Sequence, residues 1–142
     1  MNYAIVFRLL GYILMIEGVL LLLPAVTSLI YAEWAVMGVF LLTAAISAAL
    51  GFGLRTIKPR SKVFYMREGF AATALSWIAI SIVGAVPFVL TGCIPNPVDA
   101  LFETVSGFTT TGASILPAVE GLPNGILFWR SFTHWIGGMG VL

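Results

Sequence analysis

Asp99-Ala-Leu-Phe-Glu-Thr-Val-Ser-Gly-Phe-Thr-Thr-Thr-Gly-Ala-Ser114 decides how this chain folds. It joins a short apolar segment to three consecutive threonines and a glycine, and longer hydrophobic stretches flank it. Just upstream, Gly92-Cys-Ile-Pro-Asn-Pro97 has the composition of a turn. Asn96 suits a helix N-cap and Pro97 the first helical position. The predicted helix runs from Pro97 to about Ser106, with Gly107 at its end. About ten residues rise only about 15 Å, half the hydrocarbon thickness of a bilayer. Thr109, Thr110 and Thr111 are β-branched and disfavour continued helix, and Gly112 breaks the run. Pro117, Gly121 and Pro123 mark a following loop. The predicted path over 97–124 enters as helix, returns as extended chain and leaves on the same side.

That path presupposes a membrane, and the composition supplies one. Sixty per cent of the 142 residues are hydrophobic and 9% are charged. A soluble domain carries about 25% charged residues, so so few charges cannot cover a water-facing surface. The fold class is all-α integral membrane protein. The net charge of +1 points to no nucleic-acid partner. The single cysteine, Cys93, excludes an intrachain disulfide and reads as a small apolar filler.

Working outward, three stretches are long enough to span: from Tyr3 to about Leu23, closed by Pro24; from Trp34 to Leu54; and from Gly69 to Thr91. A fourth, Gly125 to Leu142, starts a span and contains Arg130. The first is read as a retained span rather than a cleaved signal, because Glu17 interrupts its apolar run and no small-residue cleavage site follows. The chain therefore divides into two N-terminal helices (1–54), a basic loop (55–68) and a helix–loop–helix unit over 69–142. In that unit the outer helix is 69–91, the loop 97–124 and the start of the inner helix 125–142. Arg55, Lys58, Arg60, Lys62 and Arg67 fall in the 55–68 region, five of the seven basic residues, while 24–33 and 92–98 have none. The positive-inside rule puts the basic loop and the N-terminus in the cytoplasm, with anionic lipid contact a lesser role for the same charges.

Several residues admit two readings. Ala44 and Ala48, with Ala45, Ala49 and Gly53, are either a close-packing face or apolar filler. Glu17, mid-span, is either a functional acid or a glutamate hydrogen-bonded inside the bundle, and the second is preferred because no basic residue lies at its depth. Arg130 is expected near the outer end of its helix, with its head group reaching toward the interface. His134, four residues on, is either a proton-sensing group or hydrogen-bonded in the bundle. Gly137, Gly138 and Gly140 either weaken the inner helix or let it pack tightly.

Extended backbone at mid-membrane is tolerated where it is buried in protein or lines a water-filled cavity, and its carbonyls need partners. A dehydrated cation is such a partner. Threonine hydroxyls can add oxygen ligands, and Gly112 allows backbone angles closed to other residues. The helix preceding them aims its negative end at the ion. The run Gly107 to Gly112 also matches part of a phosphate-binding loop, but Ala113 stands where its lysine belongs, which excludes nucleotide binding. An intramembrane enzyme using Glu103 and His134 has no nucleophile or metal cluster to support it, so the chain is read as no enzyme.

The stretch Phe102 to Ser114 resembles the first pore loop of the Trk/Ktr potassium-transporter superfamily, whose membrane subunits are of TrkH or KtrB type. Trp129-Arg-Ser-Phe-Thr-His-Trp-Ile-Gly-Gly-Met-Gly140 resembles the start of the helix that follows that loop. The resemblance implies four helix–pore-loop–helix repeats around one pore, preceded in the TrkH branch by two extra helices. On this chain it implies the two extra helices, the first repeat, and an inner helix cut short at Leu142, so an N-terminal fragment is expected. It implies an ion-selectivity filter at Thr109, Thr110, Thr111, Gly112 and Ala113, with K+ held chiefly by the carbonyls of Thr110, Thr111 and Gly112. Glu103 and Ser114 are implied as filter supports, Glu103 bracing backbone by hydrogen bonds. Potassium is the implied transported ion, with no cofactor. The implied partners are membrane lipid, a second copy of the full-length subunit, and a cytosolic nucleotide-binding regulatory subunit. The implied location is the bacterial inner membrane. The alternative is a membrane module that packs without conducting, since one loop cannot surround an ion.

Overall fold

A computed structural model of the chain describes residues 2–140. Six helices follow in order: α1 (Tyr3–Leu20), α2 (Leu22–Ile30), α3 (Trp34–Arg55), α4 (Met66–Leu90), α5 (Pro97–Phe108) and α6 (Asn124–Gly140). The last two residues of the expected inner helix, 141 and 142, lie outside the described residues. Three stretches are long and apolar enough to cross a membrane: Tyr3–Ile30, Trp34–Arg55 and Met66–Leu90. The chain is an all-α, multi-pass membrane fold.

The first span corrects the sequence reading. Pro24 does not close it, and 24–33 is not a loop. The helix breaks for one residue at Leu21 and resumes as α2, which contains Pro24 and runs to Ile30. Proline lacks an N–H and its ring crowds the carbonyl four residues earlier, here that of Leu20. That local defect interrupts the helix for one residue at Leu21, whose backbone stays in the right-handed helical region, and the true turn is confined to 31–33.

α1 and α3 pack closely through small residues. A Cβ on Gly11 would stand 2.6 Å from the Gly51 carbonyl oxygen, and one on Gly51 would stand 2.6 Å from that of Gly11. Ser47 donates its hydroxyl across the same seam to the Leu14 carbonyl at 2.7 Å. Small side chains let backbones approach, and in lipid that packing takes the place of a hydrophobic drive. The face that does this carries Thr43, Ala44, Ser47 and Gly51, all buried. Of the two alanine rows, the one through Ala45, Ala49 and Gly53 points outward, and Gly53 faces open space.

α6 is joined to the rest through Trp129, which is fully buried. Its indole N–H donates to the Gly84 carbonyl on α4 at 3.0 Å. Its ring meets Phe40 of α3 and Phe108 of α5 edge-on, each at a centroid distance of 6.3 Å. One side chain thus touches three other helices.

The end at which α6 begins is fixed by Glu33. Its carboxylate accepts the backbone N–H of Asn124 at 2.7 Å and that of Gly125 at 3.1 Å. A carboxylate there satisfies free donors and complements the positive end of the helix. Glu33 immediately precedes α3, so α3 and α6 start at one end of the bundle. α4 returns to that end, because it follows α3 in the opposite sense. α5 leaves from it after the short 91–96 turn, and 109–123 brings the chain back to it. The segment between α4 and α6 is therefore re-entrant.

Candidate functional site

α5 begins as its sequence dictates. Asn96 caps it, its side chain accepting the Val98 N–H at 3.0 Å, and Pro97 opens it. At 12 residues it rises about 18 Å, well short of a bilayer. It continues two residues beyond the predicted stop at Ser106 and ends at Phe108. The N–H of Thr109 still bonds to Val105, and that of Thr110 to Gly107. The helix thus ends directly before the three threonines, with Thr109 as its C-cap.

Beyond Phe108 the backbone alternates. Thr110 has φ +56° and Gly112 φ +79°, while no other residue from 109 to 115 has positive φ. Glycine adopts this region freely, but a β-branched threonine does so only under strain. Strain of about 1–3 kcal/mol persists only where surrounding contacts over-determine it. Here the contacts are the N–H groups of Thr111 and Gly112, both bonded to the Ser106 carbonyl, at 2.9 and 3.5 Å. The Ser106 hydroxyl donates in turn to the Ala113 carbonyl at 2.5 Å. Thr109 and Thr111 share a hydroxyl hydrogen bond of 2.8 Å. Among the described residues, no donor reaches the carbonyls of Thr110, Thr111 or Gly112. Residues 109–115 are all exposed.

A second set of contacts holds the far end of this run. Glu103, buried on α5, accepts the Ser114 hydroxyl at 3.0 Å and the Ile115 N–H at 3.1 Å through Oε2. Its Oε1 pairs with Arg130 Nε at 2.6 Å, with the two side chains 2% and 24% exposed. Arg130 therefore does not reach toward an interface. A buried carboxylate 27 residues earlier, on another helix, offers a stronger partner than the membrane edge. The structure brings Glu103, Ser114 and Arg130 together with the 109–115 backbone. His134 stands apart from this group and bonds through Nδ1 to the Arg130 carbonyl at 2.9 Å, within its own helix.

The glycines of α6 separate cleanly. A Cβ on Gly137 would run into the backbone of Phe108, while one on Gly138 would meet open space. Gly137 lets α6 lie directly against the end of α5. Glu17 corrects another expectation. It is 4% exposed, yet neither carboxyl oxygen has a hydrogen-bond partner among the described residues. It lines a hollow of about 90 Å³ with apolar neighbours that include Ile80, Phe108 and Ile136.

Sequence reasoning missed Ser106, Glu33 and the partner of Arg130. Ser106 carries a weak signal, a serine just before the glycine at a helix end. Glu33 and Arg130 carry none, since their partners are distant along the chain.

The family model described as cation transport protein, TrkH, matches residues 28–142. An uncharacterized cation transporter of Methanocaldococcus jannaschii is 39% identical over 138 residues, 96% of this chain and 28% of its own length. The Trk system potassium uptake protein TrkH of Escherichia coli K12 is 35% identical over 147 residues, the whole of this chain and 30% of its own. The crystal structure of the potassium transporter TrkH from Vibrio parahaemolyticus superimposes with a TM-score of 0.90 at 32% identity, over 99% of this chain and 30% of that one. The chain thus spans less than a third of the length of the relatives it matches. With this match over most of its residues and over its whole fold, the chain belongs to the TrkH cation transport family.

Proposed function

We propose that this chain supplies the N-terminal part of a potassium-uptake subunit, and that α5 with residues 109–114 forms one wall of its selectivity filter. The observation that carries the reading is the alternating backbone of 109–113. Alternation of φ sign turns successive peptide planes so that carbonyls share one side and N–H groups the other. The N–H groups of Thr109 to Gly112 go back to α5, which leaves the carbonyls of Thr110, Thr111 and Gly112 unpartnered on an exposed face. Carbonyl oxygens so arranged replace the hydration shell of a dehydrated cation.

In this reading Thr109 to Ala113 are the filter run. The Ala113 carbonyl, held by Ser106, ends the row of free oxygens. Glu103 and Ser114 act as supports. The negative end of α5 lies beside the ion, so no side-chain charge is needed there. Three further walls come from other parts of the full-length subunit. The reading includes a bacterial inner-membrane location with the N-terminus cytoplasmic, a dimer of full-length subunits, and a cytosolic nucleotide-binding regulatory subunit. It rests for these on the likeness to the potassium-uptake proteins named above.

The test is Gly112→Ser in the full-length protein, expressed in cells that lack other potassium uptake. Serine at positive φ strains the backbone that the carbonyl row depends on. Growth at low potassium is lost and the potassium-to-sodium uptake ratio falls. Wild-type growth with an unchanged ratio removes Gly112 from the filter.

A further inference from the structure

Folding sorts the basic residues of the N-terminal half into two separate hollows. Arg8, Arg55, Lys58 and Lys62, with Thr56 and Pro59, line a hollow of about 520 Å³. Arg60 and Arg67 line another, together with Asn2 and Glu68. The two differ in counter-charge. The second contains the buried Glu68 carboxylate, which accepts the N–H groups of Asn2 and Tyr65. The first contains four cations and no carboxylate, and among the described residues the one ion pair is elsewhere, between Arg130 and Glu103. Four like charges around one hollow repel unless an anion enters.

Position narrows the anion. Arg55 is the last residue of α3 and Arg8 lies in the second turn of α1, so the hollow sits where two spans end. Exposed aromatic surface continues from it along both helices. Tyr12, one turn from Arg8, is 38% exposed, with the Arg55 guanidinium 5.5 Å from its ring centroid. Phe52, one turn before Arg55, is 60% exposed. The site thus offers charge for a phosphate and, directly beside it, apolar surface for hydrocarbon. We propose that this hollow binds the headgroup phosphate of an anionic phospholipid, with its acyl chains lying on the exposed faces of α1 and α3. A free phosphate would use the cations and leave the aromatic surface uncovered. Basic residues near an anionic leaflet gain attraction wherever they stand. A built site differs in that its particular cations matter.

The experiment uses that difference. Full-length protein in mild detergent is mixed with phosphatidylglycerol or phosphatidylcholine, and bound lipid is counted by native mass spectrometry. Two variants each remove two positive charges from the 55–68 segment: K58Q/K62Q from this hollow, and R60Q/R67Q from the other. Wild type retains phosphatidylglycerol in preference to phosphatidylcholine. K58Q/K62Q lowers that preference at least fivefold, and R60Q/R67Q keeps it within twofold. Millimolar inorganic phosphate leaves phosphatidylglycerol binding intact. An equal loss in both variants reduces the effect to diffuse loop charge and overturns the site. No loss in K58Q/K62Q overturns it as well, and displacement of the lipid by inorganic phosphate makes it a free-anion site instead.

Discussion

Arg130 on α6 and Glu103 on α5 form a salt bridge with Nε and Oε1 2.6 Å apart, and the other carboxylate oxygen of Glu103 holds Ser114 and Ile115. One charged group thereby ties the helix after the re-entrant segment to the backbone within it. The pair is largely buried, so removing one partner strands the other charge. That costs about 3–5 kcal/mol in buried pairs generally, more than the pair itself contributes over an apolar replacement. Arg130→Gln and Glu103→Gln each lower the thermal midpoint of the purified protein markedly. The double variant loses less than the sum of the two. Additive losses in that double-mutant cycle would show that the two side chains do not act together.

Ser106 acts on both branches of the same turn. Its carbonyl accepts from Thr111 and Gly112, and its hydroxyl donates to Ala113. Ser106→Ala removes only the second contact, for about 1 kcal/mol of stability. On the proposed conduction path the effect on selectivity is larger than that on stability, because the Ala113 carbonyl is released beside the free row. The potassium-to-sodium uptake ratio of the alanine variant falls at least severalfold while its thermal midpoint shifts by only a few degrees. A ratio equal to wild type would show that the hydroxyl has no part in shaping the filter.

These relationships also show what could be read from the residues alone. The three spans were legible because 34–54 and 69–91 carry no charge and the first span carries only Arg8 and Glu17, and α5 was legible because Asn96 and Pro97 start a helix that Thr109 and Gly112 stop. Pro24 misled, since a proline can be absorbed as a one-residue interruption at Leu21 rather than ending the span. Thr110 at positive φ could not be foreseen, because residue type argues against it and only the hydrogen bonds to Ser106 impose it. The contacts of Glu33 with Asn124 and of Glu103 with Arg130 depend on which helix ends meet, and that is settled by packing of the whole bundle.

Glu33 supplies a further prediction. It caps α6 through two backbone N–H groups, and a third bond of 3.3 Å reaches the Asn124 side chain. Glu33→Ala leaves those donors open and removes a negative charge from the positive end of the helix. The loss is about 1–2 kcal/mol. Hydrogen exchange at Gly125 and Ile126 rises in the variant while exchange in α1 stays as in wild type. A uniform rise across the protein would mean that Glu33 stabilises the bundle as a whole rather than this helix end.

Gly137 and Gly138 are adjacent and differ only in what faces them. A methyl group at Gly137 meets the Phe108 carbonyl carbon at 2.7 Å and its Cα at 3.0 Å, which are backbone atoms that cannot swing aside. Overpacking of this kind costs about 1–3 kcal/mol. Gly137→Ala lowers the thermal midpoint and the yield of monodisperse protein in detergent, whereas Gly138→Ala leaves both near wild type. Equal behaviour of the two variants would mean that α6 does not lie against the end of α5.

Glu17 gives the prediction of opposite sign. Its carboxyl group is buried among apolar side chains, and both oxygens lack partners among the described residues. An unpartnered buried polar group costs about 1–3 kcal/mol by mutational measures, and more if it carries charge. Glu17→Met keeps most of the volume and removes that cost. The thermal midpoint of the full-length protein in detergent is then equal to or higher than that of wild type, which is the reverse of the usual effect of replacing a buried residue. Glu17→Gln separates charge from polarity: it falls between the two if hydrogen-bonding groups are what the site rejects. A loss of several degrees in both variants would reveal a partner for Glu17 outside residues 2–140.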